Sequence, residues 1–287
     1  LETILDEVNK YINNYEFMNK IKITDNLINE IDKLNKPSKW SSIHHFINDY
    51  ELLSYVIENP NNNNRAYYKL WELLLEDNIV YKTDFKQISL AEAPGNFVKC
   101  VKTLQSSSWD NYIIFTLLDD TNTTTQGDFF TLFRNNIFGY TEDLKPQKEH
   151  KYTGNLTNID EINIFIDYIH KNDLYADLVT ADGGMEKNVK SENDIDFILE
   201  EFNHIPLFLG EIITALFTQK IGGSFILKMY DILYSNSVNL LIILSSFYKK
   251  IRIIKPYTSR PCNSEKYIKC TDFIGFKTEE QKQNIKT

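Results

Sequence analysis

Four short groups of residues in this chain combine reactive side chains with backbone able to present them. The first is Ala91-Glu92-Ala93-Pro94-Gly95-Asn96-Phe97, which follows an apolar run. A glycine-containing turn at the carboxyl end of a strand lets a ligand approach the backbone closely. An ordinary Pro-Gly turn has the same composition, and the three-glycine dinucleotide pattern is missing. The second is Asp182, which follows Val179-Thr180-Ala181 and precedes Gly183-Gly184. A carboxylate there sits where open α/β sheets bind ligands; an aspartate capping the next helix is the plainer alternative. The third is Lys228, which closes Gly222-Gly223-Ser224-Phe225-Ile226-Leu227. Lysine is rarely fully buried unless paired, although a strand-end lysine can also reach solvent along its own stem. The fourth is Thr258-Ser259-Arg260-Pro261-Cys262-Asn263-Ser264-Glu265, a polar turn with one glutamate that by itself reads as a surface hairpin.

The elements around these groups alternate in type. A helical pattern runs from Arg65 to about Asp77, and Phe85 to Leu90 is a short strand leading into the first turn. An apolar helix follows from Phe97 to about Thr103, and the strand–turn–helix order opens a nucleotide-type α/β fold. Tyr112–Leu118, Ala176–Ala181, Ser224–Met229, Ile251–Ile254 and Lys266–Cys270 read as further strands. Helices are expected over Glu161–Lys171, Ile195–Phe217 and Val238–Lys249, with Pro206 breaking or kinking the second. Thr121–Lys151 is a long polar insertion with scattered aromatics, and Lys277–Thr287 a disordered polar tail. The alternation predicts a Rossmann-like α/β fold, with a mainly parallel sheet finishing in a late antiparallel hairpin. Residues 1–60 carry helical periodicity through Ile4, Val8, Tyr11 and Ile12, then Leu27, Ile28, Ile31 and Leu34. The expected division is an N-terminal helical region over 1–60, a main domain over 61–275 and the tail over 276–287.

Composition narrows the class. The chain has 287 residues, 42% hydrophobic and 25% charged, enough for one large core. Its net charge of −9 argues against a generic basic nucleic-acid binder, but leaves room for a local basic groove. Three cysteines form no disulfide framework and point to a reducing compartment, and the five histidines lack zinc-ligand spacing, so no metal is expected. No signal peptide is expected, and Val238–Phe247 is too short to span a bilayer, so no membrane association is expected.

In their order, the four groups resemble the FtsJ-like ribose methyltransferases, above all the cap-specific 2′-O branch of eukaryotes and large cytoplasmic DNA viruses. The resemblance covers about residues 65–272. Arg65-Ala66-Tyr67-Tyr68-Lys69-Leu70-Trp71-Glu72-Leu73 looks like the helix carrying the family's first catalytic lysine. Ala93-Pro94-Gly95-Asn96-Phe97 resembles its Pro-Gly-Gly-Phe/Trp cofactor turn, and Gly154-Asn155-Leu156-Thr157 its segment near the adenine. Asp182-Gly183-Gly184 and Leu227-Lys228 match the catalytic aspartate and second lysine. Ser259-Arg260-Pro261-Cys262-Asn263-Ser264-Glu265 is very similar to the run supplying the final glutamate. Three positions depart from the pattern. Ser89 stands where an acidic residue is usual, Asn96 replaces the second glycine, and Asn155 replaces an aspartate.

The resemblance implies catalytic roles for Lys69, Asp182, Lys228 and Glu265. It implies S-adenosylmethionine binding by Glu92, Ala93, Pro94, Gly95, Asn96, Phe97, Asn155 and Asp182, with Glu92 taking over the methionine contact. The implied reaction is methylation of an RNA ribose 2′-hydroxyl, at the first transcribed nucleotide of capped mRNA. Ribosomal or other internal RNA is the alternative substrate, and a non-catalytic methyltransferase-fold subunit of a capping assembly the alternative class. Lys228 would be the base, with a pKa lowered by burial and by Lys69. Asp182 would orient Lys228, and Glu265 would hold Lys69. Tyr67, Tyr68, Tyr230 and Tyr257 are candidates for base stacking, although core packing suits most of them better, and Lys255, Arg260 and Lys266 for a positive groove. The implied partner is RNA, with a capping enzyme or polymerase a candidate protein contact. The expected location is the cytoplasm, or for a viral chain the host cytoplasm or virion.

Overall fold

The structure is a computed structural model and describes residues 65–75, 83–106, 108–118, 129, 131–139, 152–184, 197–260 and 263–286. The helical expectation for 1–60 lies outside them. In chain order the elements are α1 (Arg65–Leu75), β1 (Gln87–Leu90), α2 (Asn96–Gln105), β2 (Tyr112–Phe115), α3 (Ile159–Lys171), β3 (Ala176–Ala181), α4 (Phe197–Thr218), β4 (Gln219–Met229), α5 (Ser235–Phe247), β5 (Tyr248–Ile254), β6 (Lys266–Phe273) and α6 (Glu279–Lys286).

The strands form one sheet in the order β2-β1-β3-β4-β6-β5. The pairs β1–β2, β1–β3 and β3–β4 are parallel, and β6 joins β4 and β5 antiparallel. This is the Rossmann-like α/β arrangement with a late hairpin. Strands buried on both faces read as near-continuous apolar runs, which is why β1 and β3 were legible. In both, polar residues stay inside only because they bond one another: Gln87 Nε2 donates to Ser89 Oγ at 2.9 Å and to Thr180 Oγ1 at 3.1 Å.

One core cluster joins Phe115, Phe165, Phe208, Phe225 and Leu227. A second packs Leu70, Leu73 and Leu74 of α1 against Phe97, Ile226 and Tyr267. Helix α1 is also clamped by polar contacts. Lys269 of β6, fully buried, donates to the Leu73 carbonyl, a cation at a helix carboxyl end. Glu72 accepts the backbone N–H groups of Tyr257 and Thr258 at 2.8 and 3.1 Å.

Several boundaries differ from those read in the sequence. Helix α4 runs through Pro206 without ending there. Strand β4 begins five residues early and takes in Gly222-Gly223, with a register shift against β3 between Ala176 and Leu178. The tail is not disordered throughout: Glu279–Lys286 are helical, and Ile285 packs on the main core cluster. In the polar insertion, Phe129, Phe133 and Ile137 are buried against Val98, Tyr112 and Ile114, so Phe129 and Phe133 are anchors on β2 and α2. Among the described residues, no helix is long and apolar enough to cross a membrane.

Candidate active site

The carboxyl ends of β1, β3 and β4 meet on one edge of the sheet, where open α/β sheets bind ligands. In the parallel register Ala181 lies beside Leu90 on one side and Leu227 on the other. The next residues are therefore brought together: Asp182 N–H donates to the Leu90 carbonyl at 3.2 Å, and Lys228 Nζ reaches Asp182 Oδ1 at 2.9 Å and the Asp182 carbonyl at 2.8 Å. The other two candidate residues form a second pair. Lys69 Nζ lies 2.5 Å from Glu265 Oε1, and the Tyr267 hydroxyl donates to the same oxygen at 3.0 Å. Four elements thus supply two ion pairs.

The charges shape one another. Burial pushes the Glu265 carboxyl up, but Lys69, with Lys228 and the Tyr267 hydroxyl, outweighs it and holds the group below the usual carboxylate range. Burial likewise pushes the Lys228 ammonium down, yet Asp182, Tyr230 and Glu265 outweigh that and raise it above its ordinary value. This overturns the expected lowering of the Lys228 pKa. Two carboxylates, Asp182 and Glu265, act on Lys228, and attraction to them exceeds the desolvation cost.

The turn after β1 is built differently. Glu92 is buried, and its Oε1 accepts the Phe97 N–H at 2.6 Å. Its Oε2 is also buried, with no hydrogen-bond partner among the described residues. Burial pushes this carboxyl well above its usual value, with Asp182 adding to the rise. Ala93 and Pro94 form the turn itself, Pro94 exposed and Gly95, Asn96 and Phe97 buried. Gly95 has φ +88°, and a Cβ there would lie 2.3 Å from the Phe133 ring. Backbone conformation and Phe133 thus demand the glycine. Ser89 bonds to Thr180 and Gln87 inside the sheet, and Glu92 is the acidic residue of the turn that follows β1.

The third cofactor candidate, Asn155, uses its side-chain oxygen locally, accepting Thr157 N–H at 2.9 Å and Thr157 Oγ1 at 2.8 Å. Its loop hangs on Glu161, which accepts N–H bonds from Thr153, Gly154 and Asn155 at 2.8, 2.8 and 3.2 Å. Gly154, at φ +74°, packs so closely on the Thr116 carbonyl that a Cβ would sit 1.7 Å from the oxygen.

Of the four tyrosines, Tyr67 and Tyr68 are buried in the α1 cluster, whereas Tyr257 is 67% exposed. Lys255 and Lys266 serve the loop around Glu265. Lys255 donates to the Asn263 and Glu265 carbonyls at 2.7 and 2.9 Å, and Lys266 pairs with Asp231 at 3.2 Å. Sequence reasoning missed Glu161 and Glu211. Glu211 is fully buried and accepts the Gly183 N–H at 3.2 Å, and a lone carboxylate in the apolar half of α4 was the available signal.

The family model of the FtsJ-like methyltransferases matches residues 63–273. The chain belongs to that family. Among curated relatives, the cap-specific mRNA (nucleoside-2′-O-)-methyltransferase 2 of Drosophila melanogaster is 27% identical over 212 residues, 72% of this chain and 29% of the relative. The cap-specific mRNA (nucleoside-2′-O-)-methyltransferase 1 of Dictyostelium discoideum is 32% identical over 127 residues, 44% of this chain and 16% of the relative. The African swine fever virus protein named "Probable methyltransferase EP424R" is 25% identical over 225 residues, 76% of this chain and 51% of the relative. The chain therefore spans about half or less of these relatives.

Proposed function

We propose that this chain transfers a methyl group from S-adenosylmethionine to the 2′-hydroxyl of an RNA ribose, that of the first transcribed nucleotide of capped mRNA. The observation that carries the reading is the pairing of Lys228 with Asp182 and of Lys69 with Glu265 at one sheet edge. Those four residues are the ones whose order resembles the family's catalytic set, and cap methyltransferases are among the relatives.

The cofactor fits the chain. Glu92 Oε2 is a buried, unpartnered carboxylate oxygen beside the pair, suited to the ammonium of a methionine moiety. The turn Ala93–Phe97 and the Gly154-Asn155 loop would flank the rest of the ligand. S-adenosylmethionine, when bound, supplies a methyl group on a positively charged sulfur.

Lys228 would accept the proton of the ribose 2′-hydroxyl as O2′ takes the methyl carbon and the carbon–sulfur bond breaks, its electron pair leaving with the now neutral sulfur. A 2′-hydroxyl is a poor nucleophile and needs such a base held in line. Asp182 aims the amine and then stabilises the ammonium. A cationic ligand brought beside Lys228 would lower its pKa, opposing the two carboxylates. Glu265 holds Lys69. Tyr257 is the exposed aromatic near this edge and offers a ring for a base to stack on. The location fitting this reading is the cytoplasm.

The test is methyl transfer to matched short RNAs with and without a cap, preceded by calorimetry with S-adenosylmethionine. Binding followed by transfer preferring capped RNA is expected. Equal rates on both RNAs would contradict the cap assignment, and absent cofactor binding would make the chain a non-catalytic subunit.

A further inference from the structure

Glu211 is buried in α4, and neither the sequence pattern nor the four-residue set assigns it a role. Its Oε1 accepts the Gly183 N–H, and its Oε2 is buried with no hydrogen-bond partner among the described residues. Gly183 lets the backbone come down onto the helix. A Cβ there would lie 2.3 Å from Glu211 Oε1 and 2.9 Å from Leu207 Cδ2.

The Gly183 N–H belongs to the same peptide group as the Asp182 carbonyl. That carbonyl accepts a hydrogen bond from Lys228 Nζ at 2.8 Å. A trans peptide is planar, with its N–H and C=O pointing in opposite directions. Glu211 and Lys228 are therefore fastened to opposite ends of one rigid unit. The preceding N–H, that of Asp182, is fixed by the Leu90 carbonyl. With both N–H groups anchored, this peptide plane cannot rotate without breaking a buried bond. The Asp182 carboxylate then has only its own side-chain torsions with which to meet Lys228.

We propose that Glu211 is the positioning residue of this site, setting through the Asp182–Gly183 peptide where the Lys228 amine stands. The proposal rests on the reading that Lys228 takes the proton in methyl transfer. It names a residue outside the four and a route that a backbone atom carries. The charged groups facing Glu211 are Asp182 and Lys228. Burial above all pushes its carboxyl up to about 8, so at neutral pH the group is mostly a neutral acid. Glutamine, which keeps the acceptor oxygen and the shape, is therefore a close mimic, and leucine removes the acceptor.

E211L is expected to lower kcat about tenfold or more, because small misplacements of a reacting group are costly. Its affinity for S-adenosylmethionine should stay within about twofold of wild type. E211Q should recover kcat to within about threefold, since the hydrogen bond to Gly183 survives. A readout independent of activity is the Gly183 amide resonance in nuclear magnetic resonance spectra. In wild type it should shift with pH around 8, as Glu211 ionises, and in E211Q it should not. If the methyl-transfer reading is wrong, wild type is inactive while this titration persists. If the positioning role is wrong, the Gly183 resonance ignores Glu211, or E211L keeps wild-type kcat, or E211Q is as slow as E211L. Should E211L fail to fold, Glu211→Met, which keeps the length and lacks the acceptor oxygen, is measured in its place: the same loss of kcat is expected, and a wild-type kcat would overturn the proposal.

Discussion

The two ion pairs and the turn after β1 lie on the same sheet edge, yet they solve the problem of buried charge in opposite ways. In the pairs every charge has a partner within the fold: Lys228 with Asp182, Lys69 with Glu265, and Tyr267 bracing Glu265. In the turn, Glu92 is buried with one oxygen bonded to Phe97 and the other left without a partner among the described residues. A buried charge is costly unless paired. The pairs are therefore complete among the described residues, whereas the turn holds one buried carboxyl oxygen that the proposed cofactor would partner. Changes in the pairs should damage rate at constant cofactor affinity, and changes in the turn should do the reverse.

The largest effect belongs to Lys228→Arg. Arginine keeps the charge and can still meet Asp182, but it cannot give up its proton in a protein. Losing a general base costs about a hundred- to ten-thousand-fold in rate. Cofactor affinity should be unchanged by calorimetry, and a loss under about tenfold would remove Lys228 as the base. The pH profile carries the same sign. Only the neutral amine accepts a proton, and its pKa is raised, so the wild-type rate should climb with pH through the neutral range before levelling. A rate falling over that range would contradict the assignment.

Next is Glu92→Gln, which keeps the size and the Phe97 bond but cannot become an anion. A charged hydrogen bond contributes about 1.5–3 kcal/mol, so affinity for S-adenosylmethionine should fall about ten- to a hundredfold with rate at saturation little changed. The Glu92 pKa is raised, so the carboxyl is protonated at pH values where an ordinary glutamate is ionised. A cationic ligand selects the ionised form, and wild-type affinity should rise with pH; E92Q should flatten that slope. Titration calorimetry across pH reads both.

Lys69, Asp182, Lys228 and Glu265 were legible because each is a charged residue beside buried strand or helix residues, in a spaced order that resembles a family. The sheet was legible from apolar runs such as Ala176–Ala181. The turn was legible as a turn, but the reason for Gly95 was not. It comes from Phe133, 38 residues away in a segment that reads as polar. The sign of the Lys228 shift was also hidden, because it depends on two carboxylates that converge only in three dimensions. Asn155 reads as a ligand contact, and the structure adds a local role that the sequence does not announce, its side-chain oxygen accepting the Thr157 N–H. Helix α6 escaped detection because its one clear anchor, Ile285, sits in a strongly polar stretch.

Smaller effects sharpen the division. Glu265→Gln should weaken the hold on Lys69 and slow transfer about tenfold, with cofactor affinity intact, because it uncouples one buried pair without emptying the site. Glu161→Ala removes the acceptor for three backbone N–H groups of the 153–155 loop. It should weaken cofactor binding only a few-fold, about one lost hydrogen bond's worth, and leave the saturated rate near wild type. If E265Q lowered cofactor affinity, or E161A lowered the saturated rate, the two regions would not be separate in function.

The most direct measurement is where the methyl group goes. Wild-type protein is incubated with isotope-labelled S-adenosylmethionine and a short capped RNA, and the product is digested to nucleosides and analysed by mass spectrometry. The label is expected on the 2′-oxygen of the first transcribed nucleotide, present with wild type and lost with Lys228→Arg. Label on a base, or ribose label undiminished in that variant, would contradict the account.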